Sequence, residues 1–159
     1  MKLNKNVIRW SVLLYIVLVV PVSVFHEFGH ALVCSSNGYS YRIWVDFTGG
    51  HEICSNTSVT RLLSYNAMGG IFGLAAGISI TASSRLFPGN LRLAITSVGL
   101  AYVVDQFSKV VLEGFFTRGY LSGRFDVLIT IIQVGSWIGF MLYFARTEDA
   151  PQIRPSSNV

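Results

Sequence analysis

The stretch Trp10–Cys34 reads WSVLLYIVLVVPVSVFHEFGHALVC, and its two halves must be read together. From Trp10 to Phe25 there is no charged residue, the mark of a helix that crosses a bilayer. His26-Glu27-Phe28-Gly29-His30 follows at once. On a helix, H-E-x-x-H sets two imidazoles on one face, one turn apart, where they can share a Zn²⁺. Glu27 then stands ready to take a proton from water held at the metal. The motif alone is weak, since composition produces it by chance in on the order of one chain in a few hundred. Its setting strengthens it, because ionisable groups at membrane depth are costly without a role. The plainer alternative is a helix end at the interface, where the same side chains meet headgroups and water.

The rest of the chain fits that setting. Of 159 residues, 52% are hydrophobic and only 13% charged, about half the share of an ordinary soluble domain. Mean hydropathy is +0.53. The expected fold class is an all-α integral membrane protein with about four transmembrane helices and a short β-hairpin-like segment after the first. Residues 1–145 are expected to form one membrane-embedded core and 146–159 a flexible polar tail. The net charge of +4 is dispersed, so no basic block points to nucleic acid. Lys2, Lys5 and Arg9 before Val12–Val20 imitate a signal peptide, but no small-x-small cleavage site follows. We read a retained first membrane helix.

That helix is expected from about Val7 to Cys34, with Pro21 able to kink it just before the motif. Tyr39–Phe47 alternates and is rich in aromatics, which reads as a strand. Thr48-Gly49-Gly50 is a hairpin-type turn and His51–Cys54 a return strand. Cys34 and Cys54 either bridge in an oxidising compartment or stay free. The preferred reading is two small apolar residues. A second helix spans about Leu62–Ser83, where Gly69, Gly73 and Gly77 form a smooth face expected to pack on the first helix beside the motif. Asn66 lies just before that face and is a candidate substrate-binding side chain. A third helix runs from about Leu91 to Leu112, with Asp105 and Lys109 paired at i,i+4. Glu113–Arg124 reads as a connection broken by Gly114, Gly119 and Gly123, and Phe125–Ala145 as the last helix.

His26-Glu27-Phe28-Gly29-His30-Ala31-Leu32 resembles the H-E-x-G-H-A signature of the site-2 protease family of intramembrane zinc metalloproteases (peptidase family M50-like). The resemblance is strong over residues 20–35 and extends in helix layout to about residue 145. It implies His26 and His30 as Zn²⁺ ligands and Glu27 as catalytic base. It also implies a short sheet near the site that receives an extended substrate, in keeping with strand-edge pairing. The family draws its third ligand from an Asp on a later span, usually in an Asp-Gly pair preceded by prolines. This chain has neither the pair nor the prolines.

A catalytic zinc needs three protein ligands and one open position. Asp126 follows a Gly-interrupted stretch and opens an apolar helix, as the family pattern requires, so it is taken as the third ligand. Asp105 is the alternative. The expected function is an intramembrane zinc metalloendopeptidase acting on transmembrane protein substrates within the lipid bilayer. The alternative is a catalytically inactive metal-binding or scaffold protein of the same fold. An aspartyl mechanism lacks its Gly-x-Gly-Asp setting, and Ser136 lacks the Gly-x-Ser setting of rhomboid-like enzymes. Lys2, Lys5, Arg9, Arg85, Arg92, Arg146 and Arg154 fall on one side, against Arg42, Arg61, Arg118 and Arg124 on the other. Both termini are therefore expected in the cytoplasm. The family keeps its site nearer the cytosol, so resemblance and charge count pull in opposite directions.

Overall fold

The computed structural model describes residues 3–46 and 49–146; the expected polar tail beyond Arg146, and Thr48 of the hairpin turn, lie outside them. The chain is mostly helical. Helix α1 (Lys5–Ser36) leads into strands β1 (Tyr41–Asp46) and β2 (Gly49–Cys54). Helices α2 (Leu63–Ser83), α3 (Gly89–Phe115), the short α4 (Thr117–Leu121) and α5 (Asp126–Arg146) follow. Four helical spans are long and apolar enough to cross a membrane: Lys5–Ser36, Leu63–Leu86, Gly89–Phe115 and Asp126–Arg146.

Asn4 starts α1, its side chain accepting from the backbone N–H groups of Asn6 (3.1 Å) and Val7 (3.4 Å). The helix then runs unbroken through Pro21. The Asn4 backbone N–H donates to the Ala145 carbonyl at 2.9 Å, and its side-chain amide donates to Asn90 Oδ1 at 2.9 Å. The start of α1, the start of α3 and the end of α5 thus share one end of the bundle. The hairpin, the start of α2, α4 and the start of α5 belong to the other.

The strands pair antiparallel with Tyr41 opposite Cys54 and Asp46 opposite Gly49. Contrary to the plain reading of the cysteines, Cys34 and Cys54 are joined as a disulfide. Their partnership needed the hairpin to fold back on α1, a contact that sequence spacing does not announce. The bridge sits in a small apolar cluster with Val33, Val59 and Tyr65. A second cluster packs Val22, Val98 and Tyr102, with Tyr15 stacked between Tyr102 (5.4 Å) and Trp137 (4.4 Å).

Two expectations are revised. The glycine row of α2 does not lie on α1 alone. Gly69 faces His26 and His30, whereas a Cβ at Gly73 would meet Gln106, and one at Gly77 would lie 2.9 Å from the Val103 nitrogen, both on α3. The reason is helical geometry, since a row of every fourth residue drifts by roughly 40° per step and so turns from one neighbour to the next. The Glu113–Arg124 connection is also shorter than expected. Glu113 and Gly114 belong to the last turn of α3, because Gly114 is a contact surface: a Cβ there would lie 3.3 Å from the Ala67 Cβ of α2.

Beside its apolar clusters the interior holds polar side chains, while large apolar ones stand outside. Ser11, His26, Asn66, Ser97, Asp105, Gln106 and Glu113 are buried, while Ile16, Val17, Phe107, Val127 and Ile131 stand exposed.

Candidate metal centre

α1 carries His26 and His30 on one face, and α3 brings Glu113 to them. His26 Nε2 lies 3.3 Å from Glu113 Oε1, His30 Nε2 lies 3.5 Å from Glu113 Oε2, and the two Nε2 atoms are 3.3 Å apart. Among the described residues, these three form the group of side chains that could hold a metal ion.

The protons on the imidazoles are fixed by what lies behind them. His30 Nδ1 is 2.7 Å from the Tyr65 backbone carbonyl, which can only accept, so Nδ1 carries the proton. His26 Nδ1 is 2.8 Å from Gln106 Oε1. The Gln106 amide is itself oriented, because its Nε2 donates to Asp105 Oδ2 at 2.8 Å. In the neutral imidazoles both Nε2 atoms are then left to face one another and the carboxylate. Neither Glu113 oxygen accepts a hydrogen bond, although the side chain is buried. Two imidazoles, each held from behind at Nδ1, and a carboxylate turned on one point are a donor set that could hold a cation. Two imidazoles and one carboxylate are also a recognised ligand set for catalytic zinc.

α2 supplies the close packing that allows this. A Cβ on Gly29 would lie 2.7 Å from the Met68 carbonyl carbon, so α1 and α2 touch backbone to backbone. A Cβ on Gly69 would lie 2.7 Å from His30 Cε1 and 2.8 Å from His26 Nε2. Gly69→Ala should therefore cost about 1–3 kcal/mol of stability and lower metal occupancy. Thermal melting and metal content of the purified variant check this, and an unchanged metal content would contradict the packing described.

Glu27 is not part of the convergent group. It faces β2 instead, where a Cβ on Gly50 would sit 2.9 Å from Glu27 Cγ. Two cavities meet at this point. One, about 480 Å³, lies between α1, α3 and α5 and is lined by Ser23, Gln106, Lys109, Asp126 and Gln133. The other, about 410 Å³, lies under the hairpin and is lined by Trp44, Glu52, Tyr65, Asn66 and Glu113. His26, Glu27, Gly50 and Tyr120 line both. The Tyr65 hydroxyl donates to Glu52, which ties the hairpin to the residue whose carbonyl holds His30. Burial pushes the Glu52 carboxyl up, against the Tyr65 hydrogen bond, which pulls it down.

The two aspartates expected near the metal are placed elsewhere. Asp126 opens α5 and lines the larger cavity but does not join the group of three. Asp105 pairs with Lys109 Nζ at 3.2 Å and acts on the centre only through Gln106. Glu113 is the residue that sequence reasoning passed over. Its signal was the Glu113-Gly114 pair at the end of an apolar helix, an acidic residue followed by glycine. Asn66 is buried and lines the smaller cavity.

No protein-family model, no curated protein and no solved structure matches the chain.

Proposed function

We propose that this chain is a membrane-embedded metalloendopeptidase of the site-2 protease type, with His26, His30 and Glu113 as Zn²⁺ ligands and Glu27 as general base. The single observation that carries the reading is the convergence of the His26 and His30 Nε2 atoms, each ring held from behind at Nδ1, on the buried Glu113 carboxylate. A cation relieves that arrangement, and the H-E-x-x-H spacing places a base beside it. The many exposed large apolar side chains and the buried His, Asp and Glu support a bilayer as the solvent.

When bound, the metal polarises water and the scissile carbonyl. Glu27 takes one proton from the water as its oxygen bonds to the carbonyl carbon. Glu27 then passes that proton to the amide nitrogen as the carbon–nitrogen bond breaks, and an amine and a carboxylic acid leave. The Gln106 and Tyr65 oxygens hold both imidazoles in the ligating tautomer throughout. The two cavities give water and an extended chain separate approaches to Glu27.

The disulfide supports one orientation. A stable Cys34–Cys54 bridge belongs in an oxidising compartment, so the hairpin end faces away from the cytosol and the Asn4 end faces the cytoplasm. This agrees with the charge count and opposes the orientation usual for the family. The test of the whole reading is metal content and cleavage of a transmembrane substrate panel in detergent. The expected result is about one zinc per chain and cleavage that a chelator stops and zinc restores. A folded protein that takes up no zinc after reloading would end it.

A further inference from the structure

We infer that Tyr120 is a catalytic residue, its phenol donating a hydrogen bond to the oxygen that becomes negative when water adds to the scissile carbonyl. The inference rests on the peptidase reading above and adds a group to it.

Such a reaction needs a donor aimed at the developing charge from within the site. Most donors around the two cavities are already committed. The Tyr65 hydroxyl is given to Glu52, and the Gln106 amide to Asp105. Lys109 is held by Asp105 at 3.2 Å. Ser23, Trp44, Asn66, Gln133 and Tyr120 remain, and of these Tyr120 is the one that lines both cavities. Asn66 lines the cavity under the hairpin alone, whereas Tyr120 lines both cavities together with Glu27 and His26. The Tyr120 phenol also lies beside the Glu113 carboxylate. It is thus next to a metal-ligand candidate and on the wall that the two cavities share.

The fold holds it in place. The Tyr120 N–H donates to the Phe116 carbonyl at 3.0 Å, and the Arg124 N–H returns to the Gly119 carbonyl at 3.1 Å. Gly119 lies against the Phe125 ring, where a Cβ would come within 2.6 Å of Cε2. A donor set on a braced turn costs little reorganisation when charge appears. Tyr120 neither binds the metal nor moves a proton in this scheme.

The experiment compares wild type, Tyr120→Phe, Asn66→Ala and Glu27→Gln on one cleavable transmembrane substrate. Zinc content, melting temperature and affinity for a peptide phosphinate, which mimics the tetrahedral oxyanion, are measured alongside. Tyr120→Phe should lower kcat by about a hundredfold or more, leave KM and zinc content unchanged, and weaken the phosphinate in proportion. Cleavage by Tyr120→Phe within twofold of wild type overturns the inference, as does a loss confined to Asn66→Ala. Loss of zinc or of folding in Tyr120→Phe overturns it too, by making the residue structural. An inert wild type fails the peptidase reading itself, and the inference falls with it.

Discussion

Glu27→Gln is expected to keep its zinc and to lose cleavage by about 10²–10⁴-fold in kcat. The substitution is nearly isosteric, so the contact with Gly50 and the walls of both cavities survive. Glu27 lies outside the group of His26, His30 and Glu113, so removing its charge takes no ligand away. What it removes is the one group placed to accept the proton of the attacking water. Zinc content, KM and kcat measured on the same preparation separate these effects. Zinc retained with cleavage unchanged would exclude Glu27 as the base. Zinc retained in a wild type that cleaves nothing would move the protein to the inactive metal-binding reading.

The second large effect concerns the third ligand. Glu113→Gln should weaken zinc binding by roughly a hundredfold or more, because it deletes the anion from a buried set of three. Asp126→Asn should leave zinc affinity within about threefold, a difference of less than 1 kcal/mol. Asp105→Asn should give an intermediate loss of about tenfold, acting through the loosened Gln106 amide and the His26 tautomer. Competition with a chelator of known affinity ranks all three. If Asp126→Asn strips the metal and Glu113→Gln does not, the third position belongs to α5 and the site must close by moving it.

The helices were legible because each is a long apolar run, and a bilayer-length run has few other readings. The imidazole pair was legible because an i,i+4 spacing fixes a shared helix face whatever the tertiary structure. Glu113 was not, for a physical reason. Gly114 was read by the rule for water, where glycine ends a helix. Packed on Ala67 it serves instead as a smooth surface, so the helix carries on for one more turn and takes Glu113 to the two imidazoles. The Asp105–Lys109 pair followed from spacing, but the hold of Asp105 on its neighbour Gln106 did not, since adjacent residues on a helix seldom face one way. The disulfide was hidden because it depends on where the hairpin lies, and that is settled by Gly50 fitting against Glu27 and Glu52 reaching Tyr65.

Asn4 has a mechanical consequence. Through one residue, the start of α1 is pinned to the end of α5 and to the start of α3. A bundle pinned at one end opens at the other, like the jaws of a peg. α5 is about 30 Å long, at 1.5 Å per residue over its 21 residues. A swing of roughly 5° at the pin moves its far end by about 2–3 Å, given that length. Asp126 stands at that far end, on the wall of the larger cavity. The leverage is thus greatest where the chain can admit a guest and least where its two ends meet.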